Sequence, residues 1–89
     1  AEIVDAVGDK LDVICEGGIH RGTHMLKALS LGAKACSGGR LYLYALAAGG
    51  QAGVERAIEK YKAELVRDMK LMGCNKISDL NRNNLRFRT

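Results

Sequence analysis

The chain has no proline and no tryptophan, and one phenylalanine and three tyrosines are its only aromatics in 89 residues. With 47% hydrophobic and 27% charged residues besides, this composition excludes a disordered tail, a collagen-like repeat and a coiled coil. So few aromatics leave no stacking platform for nucleic acid beyond Phe87, and no nucleic-acid reader motif is present. No stretch approaches the ~18 apolar residues of a membrane span. The start, AEIVDAVGDK, lacks the charged-then-apolar build of a signal peptide. Three cysteines, Cys15, Cys36 and Cys74, make an odd count without C-x-x-C spacing, so no metal site is expected. Each reads as a small, reduced, buried hydrophobe. The expectation is a soluble cytoplasmic protein, one small domain across residues 1–89.

Charge of one sign does not dominate either. The net charge is +4, with Arg82, Arg86 and Arg88 making the last residues basic. Acidic and basic residues alternate between Glu55 and Lys70. A basic tail of this kind is ordinarily solvated, and an anionic small ligand needs only one or two of these cations.

Glycine is abundant, at eleven residues, and most of it falls between Gly17 and Gly53. Glycine gathered in this way marks tight turns or close approach of the backbone to a ligand. Around it, Ile3–Val7 reads as a short helix ending at Gly8. Leu11–Cys15 is a brief apolar, β-branched run that stops at Gly17-Gly18, as a buried strand does. Thr23 is placed to cap a helix with its apolar stripe at Met25, Leu26, Ala28, Leu29 and Leu31, closed by Gly32. Ala33–Ser37 reads as a second strand and Leu41–Ala48 as a short helix interrupted at Gly49-Gly50. From Gln51 to Met72, Val54, Ile58, Tyr61, Leu65, Met69 and Met72 recur at helical spacing, with Gly73 as the stop. Ser78 begins a last short helix to Leu85. Strand, helix, strand, helix is two successive βα units, which implies a parallel pair with a right-handed crossover. Two parallel strands need neighbours at both edges. The expected fold is therefore α/β, a slice of a barrel and not a complete one.

Two glycine turns follow the two strands directly. The first is Glu16-Gly17-Gly18-Ile19-His20-Arg21-Gly22-Thr23, and the second is Gly38-Gly39-Arg40. Ligands of parallel α/β structures gather at the carboxyl ends of strands, and barrel phosphate sites use the last two such loops with a short extra helix. Glycine lets backbone N–H groups approach phosphate oxygens, and a helix start adds partial positive charge. Arg40 offers a fork of donors, and His20 and Arg21 add donors on the facing loop. Taken singly, each glycine serves a tight turn, Arg40 is a surface charge and His20 is a loop hydrogen-bonder. Two Gly-Gly turns, each with a cation, about twenty residues apart favour a phosphate or a phosphorylated cofactor. No nucleophile, base and orienter set is visible.

The segments Glu16-Gly-Gly-Ile-His-Arg-Gly-Thr23, Leu26-Lys-Ala-Leu-Ser-Leu-Gly-Ala-Lys-Ala35 and Gly39-Arg40 resemble the C-terminal part of the FMN-dependent α-hydroxy-acid dehydrogenases. That family contains lactate, glycolate and mandelate oxidases and dehydrogenases. The resemblance continues through Leu43–Ala48, Gly50–Glu55, Leu71–Cys74 and Ile77–Leu80. It implies a TIM barrel whose strands seven and eight are Val13–Cys15 and Ala33–Ser37, with FMN bound at the two turns. Glu16 stands at the family's ribityl-binding aspartate and His20 at its first phosphate-contacting arginine. Arg21 matches the second arginine, Gly17, Gly18 and Gly39 match the glycine turns with their backbone donors, and Arg40 matches the phosphate-binding arginine. His24 stands where an aspartate is usual.

The family's catalytic histidine and substrate-binding arginine lie on a histidine–glycine–arginine segment ahead of strand seven. Nothing before Val13 matches it. The resemblance therefore implies an FMN-phosphate-binding part of an enzyme that oxidises 2-hydroxy acids to 2-oxo acids, with no catalytic residue of its own and no activity in isolation. The partners it implies are FMN and the rest of the barrel. The alternative is a non-catalytic βα module that pairs with itself or with the missing barrel portion.

Overall fold

A computed structural model describes residues 1–88. A short helix α1 (Glu2–Val7) precedes β1 (Ile14–Glu16), α2 (Gly22–Ser30), β2 (Ala35–Ser37) and α3 (Arg40–Leu71). Two 3-10 turns, Ile77–Asp79 and Arg82–Asn84, complete the described chain. The strands pair in parallel, with Ile14 opposite Ala35, Cys15 opposite Cys36 and Glu16 opposite Ser37. Parallel pairing requires the chain to return to the same end of the sheet, and α2 makes that crossover.

Successive strand side chains point to opposite faces. Cys15 and Cys36 are half-buried, whereas Ile14, Glu16, Ala35 and Ser37 are exposed. Ile14 keeps 62% of its surface exposed, so the face opposite the cysteines is bare. Among the described residues the sheet is two strands and unclosed.

The core lies on the helical side. Leu26 of α2 packs with Met69 of α3 and with Cys74 and Leu80 of the following segment, flanked by Leu29, Leu65 and Met72. Both major helices end as their glycines predict. Gly32 and Gly73 are left-handed, and the N–H groups of Ala33 and Cys74 reach back to the carbonyls of Ala28 and Met69 in Schellman closures. At the other end of the chain, Arg82 pairs with Asp5 at 2.6 Å and holds that carboxyl below its ordinary range.

The contact that seats α2 on α3 involves a carboxylate. Glu64 is only 6% exposed, and its Oε2 accepts the Gly22 N–H at 2.8 Å. One turn along α3, Asp68 Oδ2 accepts the Thr23 hydroxyl at 2.6 Å. Both carboxylates titrate below their ordinary values, Glu64 chiefly through the Gly22 N–H and Asp68 chiefly through the Thr23 hydroxyl. Helix starts carry unpaired N–H groups and partial positive charge, so α3 supplies what a local capping side chain would otherwise provide. Gly22 makes the approach possible. A Cβ there would stand 2.6 Å from both Glu64 Cβ and Leu65 N.

Several boundaries differ from expectation, each for a physical reason. Thr23 is not the cap of α2. Arg21 is, without a side-chain bond, because the Glu64 carboxylate already occupies that role. The first strand begins at Ile14 instead of Leu11, which is 63% exposed, since among the described residues β2 is its one partner. The second begins at Ala35 instead of Ala33, which closes α2. The helices expected at 41–48 and 51–72 run together as α3 across a break at Gly50, whose φ of 60 and ψ of −146 lie outside the helical region. The last helix is two separate turns, because Leu80 is extended between them and buried in the core.

Gly22→Ala should therefore separate α2 from α3, since the obstructing atoms are largely backbone. Overpacking of this kind costs on the order of 1–3 kcal/mol, read as a lower urea midpoint at an unchanged slope. A midpoint equal to the parent's would show that the helices are not in the contact described. The carboxylates give a second expectation. Their folded pKa values are depressed, so their stabilisation is complete above the unfolded values near 4.5 and 3.8 and is lost as pH falls through the folded ones. The urea midpoint should fall below about pH 4.5, and less so in Glu64→Gln, which removes one of the two titrations.

Candidate functional site

Because β1 and β2 are parallel, their carboxyl ends lie at the same end of the sheet, and so do the turns that leave them. After Glu16, Gly17 and Gly18 are both left-handed, with φ of 102 and 68. Two consecutive residues of this kind turn the chain sharply away from the strand at little steric cost only if both are glycine. Ile19 then buries its side chain and anchors the return into α2. After Ser37, Gly38 and Gly39 lead into α3, with Gly39 as its N-cap.

The two turns enclose a pocket of about 350 Å³ lined by residues 16–20 and 37–41, toward the lower end of ligand-site volumes. Larger hollows of about 630 and 600 Å³ lie elsewhere along α3, but neither gathers the donors of both turns. At the α3 start, Tyr42 and Leu43 donate to the Gly39 carbonyl at 3.1 and 3.2 Å. The N–H groups ahead of them have no intrahelical partner by construction and give this end partial positive charge. Arg40 is exposed at that end, and among the described residues it enters no ion pair. Glu16 reaches across from the first turn. Its Oε1 lies 4.0 Å from where a Cβ on Gly39 would be, so the pocket has an acceptor on one side and donors on the other.

Six of the residues expected to form the site are brought together here: Glu16, Gly17, Gly18, His20, Gly39 and Arg40. Arg21 is not among the lining. Its guanidinium lies 3.4 Å from Glu64 Oε1, with its side chain still 60% exposed. The His20 N–H donates to His24 Nδ1 at 3.2 Å, which folds His24 back onto the loop. Among the described residues, no group of three or more His, Cys, Asp or Glu side chains is placed to hold a metal ion.

Sequence reasoning passed over Glu64 and Asp68, which position the loop without lining the pocket. The available signal was their spacing of four on the face that also carries Tyr61, Leu65 and Met69. Carboxylates on an apolar helix face call for a partner.

Residues 1–87 match the family model described as FMN-dependent dehydrogenase. The chain is 48% identical over 79 residues to an L-lactate oxidase of Nostoc, covering 89% of this chain and 22% of that protein. It is 45% identical over 85 residues to a peroxisomal (S)-2-hydroxyacid oxidase of Arabidopsis thaliana, covering 96% and 23%. Among solved structures, it is similar to the flavin-binding domain of baker's yeast flavocytochrome b2 at a TM-score of 0.87 and 42% identity, over 96% of this chain and 22% of that one. The chain belongs to the FMN-dependent dehydrogenase family. It spans less than a quarter of the length of these relatives.

The donor set fits the family's cofactor at its phosphate end. Helix-start N–H groups and a guanidinium suit a phosphate, and the Glu16 carboxylate suits the hydroxyls of a sugar-alcohol chain, since an ionised carboxylate only accepts. Among the described residues no helix is long and apolar enough to cross a membrane.

Proposed function

We propose that this chain is the FMN-phosphate-binding part of a flavin-dependent enzyme that oxidises 2-hydroxy acids such as lactate to 2-oxo acids. In this reading β1 and β2 are strands seven and eight of a (β/α)₈ barrel, and the bare face of the sheet looks into the barrel. The supporting observation is the pocket that unites both glycine turns with the α3 start and Arg40. Gly18 and Gly39 give backbone donors, Arg40 a forked contact to phosphate oxygens, His20 a further donor and Glu16 an acceptor for ribityl hydroxyls. Gly17 shapes the first turn. Arg21 belongs to the same set by resemblance. Its 3.4 Å contact with Glu64 is long for a charge-assisted bond, which leaves the guanidinium free to exchange that carboxylate for a phosphate.

When bound, the flavin supplies the two-electron acceptor for the oxidation. The chain's own residues hold and neutralise the phosphate and orient the cofactor, and none is assigned proton transfer. His20 and His24 flank the cradle, and the base and the substrate-binding arginine are assigned to the remainder of the enzyme. Cytoplasmic location is part of this proposal and gains nothing from the relatives, one of which is named peroxisomal.

A second reading, a βα module that assembles with itself, is favoured by the bare sheet face and the 62% exposure of Ile14. Sedimentation separates the two, since a stable oligomer without flavin binding supports the module.

The 89-residue chain alone should not turn over lactate or glycolate above a flavin-only control, because general acid–base catalysis contributes about 10²–10⁴-fold and this reading assigns its residues to the remainder of the enzyme. Turnover above that control would sink the division of labour. For binding, Arg40→Ala should weaken FMN roughly ten- to a hundred-fold, the equivalent of a charge-assisted hydrogen bond of about 1.5–3 kcal/mol. His20→Ala should cost less than Arg40→Ala, because an imidazole offers a single donor toward the pocket where the guanidinium offers a fork. If Arg40→Ala binds FMN as the parent does while His20→Ala does not, the cradle is misassigned and Gly39-Arg40 is only a tight connection.

A further inference from the structure

The parallel register sets Cys15 directly opposite Cys36. Neighbouring strands lie about 4.7–4.9 Å apart, within the Cα separations of about 4.4–6.8 Å that disulfides span. Both side chains take the same face. Each is half-buried between two exposed neighbours, and both lie toward α2. Cys36 Sγ is 3.9 Å from the Met25 carbonyl oxygen, and Cys15 shares a hollow of about 220 Å³ with Ala28 and Leu31. Burial pushes the Cys36 thiol up, and the neighbouring Cys15 is the second cause, which puts the two sulfurs within electrostatic reach. The third thiol, Cys74, is buried in the α2–α3 core. All three are free.

We propose that Cys15 and Cys36 form a cross-strand dithiol that closes reversibly to a disulfide when it meets a low-molecular-weight disulfide of the glutathione type. The Cys15 thiolate attacks one sulfur of the small disulfide, whose S–S bond breaks and releases one thiolate. The Cys36 thiolate then attacks the Cys15 sulfur of the mixed disulfide and releases the second. The protein loses two electrons and two protons, and the small disulfide leaves as two thiols. Cys15 is the opener because the shared hollow gives a small reagent access to it, while Cys36 lies under α2 against the Met25 carbonyl. The two cysteines stand one residue ahead of Glu16 and Ser37, the strand ends that open the glycine turns, so the bond ties together the two strands that carry the pocket. The proposal rests on the strand register and not on the cofactor reading.

Trypsin cleaves after Lys10, Arg21, Lys34, Arg40, Lys70 and Lys76, which puts the three cysteines on separate peptides, 11–21, 35–40 and 71–76. The reduced chain is incubated at low concentration with oxidised glutathione, remaining thiols are alkylated, and the digest is weighed by mass spectrometry. The expected product is peptide 11–21 joined to 35–40 and lighter than their sum by two hydrogens, with Cys74 alkylated. It should disappear on reduction, in urea before oxidation, and in both Cys15→Ser and Cys36→Ser, while Cys74→Ser should retain it. Three alkylated thiols, links that involve Cys74 as often as the other two, or covalent dimers in place of the internal link would each overturn the proposal.

Discussion

The packing of α2 on α3, and with it the placement of the first glycine turn, depends on the Glu64 carboxylate at the start of α2. Removing a carboxylate from water costs several kcal/mol, and that cost is met only when its lone pairs are satisfied. Here the Gly22 N–H at 2.8 Å does most of this, with Arg21 at 3.4 Å as the weaker partner. A charge-assisted bond contributes about 1.5–3 kcal/mol, the same order as the penalty, so the burial is close to balanced and its value lies in position. The carboxylate can be satisfied only if the first turn of α2 sits against residues 64–68 of α3, and Thr23 on Asp68 fixes the same register one turn on.

This constraint connects the core to the pocket through very few residues. Gly22 is four residues after Gly18, with Ile19 buried between them. Pinning the start of α2 therefore limits where the Gly17-Gly18 turn can lie. The second turn needs no comparable device, because Gly39 is itself the N-cap of α3. The element α3, broken at Gly50, thus meets both sides of the pocket, its first residues forming one wall and its last turns holding the other. Arg21 stands between the two demands, with its guanidinium on the structural carboxylate and its backbone capping the helix.

Much of this was legible from local chemistry. The order of elements, the two glycine turns and the breaks at Gly32, Gly50 and Gly73 follow from residues that accept unusual backbone angles, a property of each residue by itself. The pocket's composition was legible for the same reason, since parallel strands bring their following loops to one end whatever the side chains are. What was not legible depended on pairs distant in sequence. Thr23 has the chemistry of a cap, and nothing near it reveals that Glu64 will take that place. Arg21 looked equivalent to His20 and Arg40 until a carboxylate 43 residues away claimed it. The final segment contained helix-forming residues, but Leu80 is held extended by burial in a core built from both helices.

The apolar surface left outside that core is large for so short a chain. Ile3, Leu11, Ile14, Leu43 and Leu46 are each more than half exposed. Burying such a side chain is worth about 1.5–3 kcal/mol, so these five together represent a stabilisation comparable with the whole net stability of an ordinary domain, about 5–15 kcal/mol. Surface of that kind is out of place on a small chain that must stand alone, where the fraction buried is already low. Here part of it gathers on the bare face of the two-stranded sheet, at Ile14. The strand face reading Ile14, Glu16 on one side and Ala35, Ser37 on the other mixes apolar and polar groups. Polarity increases toward the glycine turns, from Ile14 to Glu16 and from Ala35 to Ser37. That gradient points the polar end of the face at the pocket.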